Sequence, residues 1–213
     1  RPTRGYCDGV LQRFGVETTY YDPLIGAGIA DLIRPNTKVV YVESPGSHTF
    51  EIQDIQAIAA EAHKAGATVL MDNTWASPLF FRPFDHGVDV SIHAATKYIV
   101  GHSDAMLGVV VTNEAAWQPL RRTAQAMCQC VGPDDIFLGL RGLRTLALRA
   151  KAQCDSAAEI AAWLAADPRI AAIDFPGLPG HPGHELAKRQ QDGFGQLISV
   201  QLADNVADAR DVV

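Results

Sequence analysis

Two short β-branched runs bracket a helical pattern in the first third of the chain, and this arrangement leaves few folds open. Lys38-Val-Val-Tyr-Val-Glu43 reads as a buried strand that runs into the turn-rich Glu43-Ser-Pro-Gly-Ser47. Ile52, Ile55, Ile58, Ala59 and Ala62 then recur at helical spacing. Gly66 follows His63 and Lys64, a helix stop with basic residues in the last turn. Ala67-Thr-Val-Leu-Met71 is a second apolar strand, ending at Asp72-Asn-Thr-Trp75. Strand, helix and strand within roughly 35 residues make a βαβ unit, and its strands are parallel because the helix returns the chain to the same edge of the sheet.

The remaining pattern extends this unit. Val88 to Ile92 predicts a third strand running into His93-Ala-Ala-Thr-Lys97, and Met106 to Val111 a fourth. From Asp134 to about Ala166, after Pro133, the chain is Ala/Leu/Arg-rich and predicts one helix long enough to bridge two domains. Beyond Pro168 the texture changes: a strand over 170–175, a Pro/Gly loop over 176–183, a helix from Glu185 to Gln191 and a strand from Gln196 to Leu202. The fold class is α/β, a mostly parallel sheet with helices on both faces, followed by the beginning of a smaller α+β domain. The expected boundary lies near residue 144, so 1–143 is the large domain and 144–213 the start of the second. Arg1 is not preceded by Met, and the acidic, Ala-rich stretch ending at Val213 reads as an unfinished helix. A processed chain or the core of a longer protein is the expectation.

Composition narrows the function. With 47% apolar and 20% charged residues the chain builds a core and is not disordered. A net charge of -6, from 18 basic and 24 acidic residues, makes it a poor partner for a phosphate backbone, so no nucleic acid is expected. No apolar run reaches the roughly 18 residues of a membrane span, and no charged-then-apolar leader opens the chain, so a cytoplasmic location without membrane association is expected. Cys7, Cys128, Cys130 and Cys154 form no CxxC pair and are expected to be reduced and mostly buried. His93 and His102 share no metal-ligand spacing, and no metal is expected. The chain has no glycine-rich dinucleotide or P-loop pattern. Trp117 and Trp163 are expected in the core. His181 and His184 are expected at the surface, and Arg121, Arg122, Arg141, Arg144 and Arg149 on a solvated or subunit-facing side. For Trp75, packing and proximity to a cofactor stand as equal readings.

Ligands of open α/β sheets sit outside the carboxyl ends of the strands. Here those ends deliver Glu43 and Ser44, Asp72 and Asn73, then Thr96 and Lys97. Asp72 and Lys97 each end a strand too apolar to leave a charge unexplained, and each is expected to be half-buried and partnered. They either pair with each other or hold something between them. Pyridoxal phosphate has the matching polarity: an aldehyde that condenses with an amine, and a ring nitrogen that draws electrons when a carboxylate keeps it protonated.

Three segments carry a family resemblance: Asp72-Asn-Thr-Trp75, Ser91-Ile-His-Ala-Ala-Thr-Lys-Tyr98 and Gly101-His-Ser-Asp104. Together they resemble the signature of the pyridoxal-phosphate-dependent enzymes of cysteine and methionine metabolism. Glu43-Ser-Pro-Gly46 and His184-Glu-Leu-Ala-Lys-Arg-Gln190 fall at matching places. Trp75, the Ala-Ala-Thr-Lys-Tyr run and Tyr21-Asp-Pro-Leu-Ile-Gly26 are most similar to the branch that cleaves cystathionine by β-elimination.

The resemblance implies the aspartate-aminotransferase-like fold (fold type I), pyridoxal 5'-phosphate as cofactor, L-cystathionine as substrate, and a homotetramer. Lys97 matches the lysine that bonds the cofactor aldehyde and acts in catalysis. Asp72 matches the partner of the ring nitrogen, and Thr96 a hydroxyl donor to the phosphate. Ala94 stands where many relatives carry a phosphate-binding Ser, so that contact is missing. Ser47 stands where relatives often have Asn and is not assigned. The family's glycine-containing phosphate loop, its ring-stacking Tyr and the Tyr/Arg from a neighbouring subunit would precede Arg1, and its substrate-carboxylate Arg would follow Val213. A γ-lyase or γ-synthase of the same family, and a non-catalytic fragment or assembly module, are the alternatives.

Overall fold

The computed structural model describes residues 2–204. The helix expected towards Val213 lies outside the described residues. After a short helix, α1 (Pro2–Gly9), and two 3-10 segments, the βαβ unit forms as the apolar pattern requires. Strand β1 (Val39–Glu43) pairs in parallel with β2 (Thr68–Asp72), Val39 beside Thr68 and Glu43 beside Asp72. Between them runs α2 (Ile55–Lys64). It starts at Ile55 rather than Ile52 because the Asp54 side chain caps it, accepting from the Ala57 N–H at 3.0 Å. It stops at Gly66, whose φ of +71° a residue with a Cβ rarely adopts.

Helix α2 lays Ile55, Ile58, Ala59 and Ala62 onto Val40, Val42, Val69 and Met71, the face of the two strands that carries no charge. Strand alternation sends Tyr41, Glu43, Leu70 and Asp72 to the opposite face. After the short α3 (Ser77–Phe80), β3 (Val90–His93) adds in parallel to β2, with Leu70 beside Val90 and Asp72 beside Ile92. β4 (Val109–Thr112) closes the sheet antiparallel to β3, in the order β1-β2-β3-β4.

Helix α4 (Glu114–Ala126) follows, with Trp117 and its neighbours at the surface. The single long helix expected from Asp134 is two helices, α5 (Pro133–Leu143) and α6 (Leu146–Ala165). The break has a physical cause. The Gly142 carbonyl, which would bond the Leu146 N–H in a continuous helix, instead accepts from the Thr145 N–H at 3.1 Å and from Arg149 Nη2 at 2.7 Å. Strands β5 (Ile170–Asp174) and β6 (Ser199–Leu202) form a separate antiparallel pair, with α7 (His184–Gln190) between them in sequence.

Trp75 joins the two cores, packing against both the α2–sheet cluster and the Ala157–Ala161–Phe175 cluster. Gln190 ties α7 to α2: its Oε1 accepts from the Ile55 N–H and its Nε2 donates to the Gln53 carbonyl, each at 3.0 Å. Several surface expectations reverse. His181 and His184 are buried, because the Pro/Gly loop folds inward: His184 stacks on Phe194 and meets the Pro176 carbonyl through Nδ1 at 2.8 Å. Trp117 and Trp163 are 48% and 61% exposed, not core. Cys128 and Cys130 are exposed and Cys7 and Cys154 half-buried, all as free thiols. Among the described residues no helix is long and apolar enough to cross a membrane.

Candidate active site

Asp72 is the last residue of β2 and is half-buried. Its Oδ1 accepts from the Thr74 N–H at 2.9 Å, a local turn that leaves Oδ2 without a donor among the described residues. The two residues after it hold that turn. Asn73, fully buried, donates through Nδ2 to the Phe81 carbonyl at 3.0 Å and the Ser77 carbonyl at 3.4 Å, and its N–H reaches the Ile92 carbonyl at 2.8 Å. Thr74 Oγ1 accepts from the Ala94 N–H at 2.8 Å, which fixes the end of β2 to the segment leaving β3. Asp72 also bears on its neighbours. Burial holds the His93 imidazole below its usual range, and the Asp72 carboxylate partly offsets this. Burial pushes Tyr41 up to about 12, with Asp72 adding to the effect.

Thr96 and Lys97, expected at the end of β3, do not end it: the strand stops at His93 and both residues sit in the turn that follows. That turn is closed by the Lys97 N–H on the Ala94 carbonyl, the Val100 N–H on the Ala95 carbonyl and the Gly101 N–H on the Lys97 carbonyl, at 2.8–3.0 Å. Ala95 and Val100 are fully buried beneath it. Thr96 fastens the turn to the next segment: its Oγ1 accepts from the Leu107 N–H at 2.9 Å and donates to the Leu107 carbonyl at 3.3 Å. Lys97 itself is exposed rather than half-buried, because the turn lifts it clear of the sheet. Among the described residues it makes no ion pair, so it does not bridge to Asp72.

Lys97, Thr96, Tyr98, Asp104, Asp135 and Arg149 line part of a cleft of about 870 Å³. Thr96 and Lys97 are thus brought together, while Asp72 stands at the adjoining strand end and does not line the cleft. The Tyr98 hydroxyl is buried without a partner among the described residues, and burial pushes its ionisation upward. Arg149 also reaches the Lys97 turn, donating to the Tyr98 carbonyl at 2.9 Å. Arg149, expected on a solvated or subunit-facing side, is half-buried; its sequence signal is its place one turn into the helix that follows Gly142.

The donor set fits pyridoxal phosphate. It offers one amine free of carboxylates, a hydroxyl beside it whose own donor contact is long, and a carboxylate with one oxygen unspent. Lys97 would bond the aldehyde, Thr96 would turn its proton from Leu107 to the phosphate, and Asp72 would meet the ring nitrogen.

The chain is similar to known proteins along most of its length. A putative cystathionine beta-lyase of Rhizobium johnstonii is 52% identical over 202 residues, covering 95% of this chain and 51% of that protein. The cystathionine beta-lyase MetC of Escherichia coli is 45% identical over 203 residues, covering 94% of this chain and 51% of that protein. The crystal structure of cystathionine gamma-lyase from Lactobacillus plantarum complexed with L-serine superposes with a TM-score of 0.91 at 37% identity, over 95% of this chain and 53% of that one. The chain spans about half the length of the curated relatives it matches. The Cys/Met metabolism PLP-dependent enzyme family matches residues 1–213, and the chain belongs to that family.

Proposed function

We propose that this chain carries the cofactor-anchoring half of a carbon–sulfur lyase that converts L-cystathionine and water to homocysteine, pyruvate and ammonia. The observation that carries this reading is the Lys97 amine, which makes no ion pair among the described residues and opens to a cleft, with Asp72 at the end of β2, the strand paired with the one that leads to Lys97. The β-lyase relatives at 52% and 45% identity support the choice of substrate. Residues 1–143 are assigned to the cofactor domain and 144–213 to the beginning of the second, the boundary falling at the break between α5 and α6.

When bound, pyridoxal phosphate supplies the electron sink for the pair left at the substrate Cα. Lys97 Nζ would hold the cofactor aldehyde and, when free, would accept the substrate Cα proton. The same amine would deliver a proton to the departing homocysteine sulfur. Asp72 would keep a proton on the ring nitrogen, and the Thr96 hydroxyl would hold the phosphate. In the same reading the enzyme is a cytoplasmic homotetramer. Phe137 and Leu140 of α5, 66% and 56% exposed, are apolar area that subunit contact would cover.

Lys97→Ala in the full-length enzyme removes both anchor and base. It is expected to lose the visible absorbance of the lysine–cofactor linkage and at least about three orders of magnitude in rate. Near-normal turnover in that variant would remove Lys97 from the mechanism. The likeness to a γ-lyase structure favours a second reading, γ-cleavage. Product analysis separates them: pyruvate with homocysteine for β-elimination, 2-oxobutyrate with cysteine for γ-cleavage.

A further inference from the structure

We infer that Arg149 is a positioning residue for Lys97, acting through the main-chain carbonyls of the turn that carries it. This rests on the assignment of Lys97 as the anchoring amine. The first turn of α6 sends the Arg149 guanidinium back across the α5–α6 break. Its Nη1 donates to the Tyr98 carbonyl at 2.9 Å, and its Nη2 to the Ile99 carbonyl at 3.3 Å and the Gly142 carbonyl at 2.7 Å. Its Nε donates to Thr145 Oγ1 at 3.0 Å. Among the described residues it meets no carboxylate, so its charge is spent on carbonyl oxygens.

Tyr98 and Ile99 directly follow Lys97 in a turn that belongs to neither helix nor strand. Their carbonyls have no ladder to join, and the guanidinium is their fixed donor. Two glycines make the approach possible. A Cβ at Gly101 would overlap the Arg149 guanidinium, and a Cβ at Gly142 would overlap the Ile99 and Val100 carbonyl oxygens. The turn is therefore clamped between the end of α5 and a planar fork. Lys97 stands on its open side and Val100 is held in the core below. A flexible amine reaches a reacting carbon reproducibly only if its Cα is fixed, and the clamp fixes it.

The test uses the full-length enzyme with Arg149→Gln, Arg149→Lys and Thr145→Val. In cofactor-free protein, Arg149→Gln is expected to speed hydrogen exchange at the Lys97, Val100 and Gly101 amides by about tenfold or more, while amides of α2 keep their wild-type rates. With cofactor, kcat falls by about 10- to 100-fold with KM changed less than about threefold, because misplacement of the amine acts on the chemical step. Arg149→Lys, a point charge that cannot span three carbonyls, restores only part of either effect. Thr145→Val, which removes one acceptor and leaves the fork, shifts both readouts in the same direction by a smaller amount and decides the matter if Arg149→Gln fails to fold. Unchanged exchange at 97–101 overturns the proposal. So does an exchange increase spread evenly over the sheet, which would mark Arg149 as a general stabiliser. The exchange readout needs no cofactor, so it stands or falls separately from the outcome for Lys97→Ala.

Discussion

Among the described residues Asp72 keeps one carboxylate oxygen free, because its neighbours absorb the polar demands of the turn. Asn73 satisfies the Phe81 and Ser77 carbonyls, Thr74 takes the Ala94 N–H, and the Thr74 N–H occupies only Oδ1. Asp72→Asn tests what that free oxygen does. The amide oxygen can still accept from the Thr74 N–H, so the fold is expected to survive and cofactor to bind. A neutral amide no longer favours a proton on the ring nitrogen, and kcat is expected to fall by about two orders of magnitude. Turnover equal to wild type in steady-state assays would take Asp72 out of the chemistry. At this scale the sequence is legible where chemistry imposes a residue type: an acid at the end of an apolar strand, as Asp72 ends β2, has few structural uses, whereas the place of Lys97 in a turn beyond β3 is set by hydrogen bonds that the apolar pattern does not show. Nor is the sequence legible where a long side chain turns back into the protein. Arg149 reads as surface in a helical stretch full of arginines, and only the fold brings the Tyr98 and Ile99 carbonyls within its reach. The burial of His181 and His184 is hidden for a related reason, since Pro/Gly composition marks a loop but not the side on which it packs.

Among the elements, the βαβ unit is legible because two short continuous apolar runs bracket apolar residues at helical spacing, with a glycine stop after the helix. The α5–α6 break is not, because nothing in the Ala/Leu/Arg pattern from Asp134 to Ala166 interrupts helical spacing. Its cause is a tertiary contact, the pressing of Gly142 against residues 99 and 100. Gly142→Ala sets two effects of opposite sign against each other. Alanine gains about 1 kcal/mol of helix propensity near the end of α5. The added methyl meets two main-chain oxygens held in a closed turn, and such overpacking costs about 1–3 kcal/mol or more. The second effect is the larger, because carbonyls cannot rotate aside as a side chain can. A lower urea midpoint is expected, by about 1–2 kcal/mol of stability. A higher midpoint would mean that the Lys97 turn withdraws freely and is not clamped.

Across the whole molecule, a buried imidazole stands in each part of the fold. His93 ends β3, with Nε2 3.0 Å from Ser91 Oγ, and His181 lies in the loop before α7, its Nδ1 accepting from the Gly183 N–H at 3.0 Å. Burial lowers both below the usual value of 6.5, against the opposing pull of Asp72 on His93 and of Asp174 and Glu51 on His181. The consequence for stability has a definite sign. Below about pH 6.5 the unfolded chain binds protons at these two positions that the folded chain does not, so acid favours unfolding. Stability is whole above that pH, declines as pH falls from 6.5 towards the folded values, and levels off below them. Because Trp75 and Gln190 join the two parts, the loss at either histidine is felt by both. Urea unfolding between about pH 7.5 and pH 5 is therefore expected to show a falling midpoint, and His93→Gln, which cannot titrate, a shallower fall. If the His93→Gln slope matches wild type, the acid response arises elsewhere and His93 gains its proton without cost in the folded state.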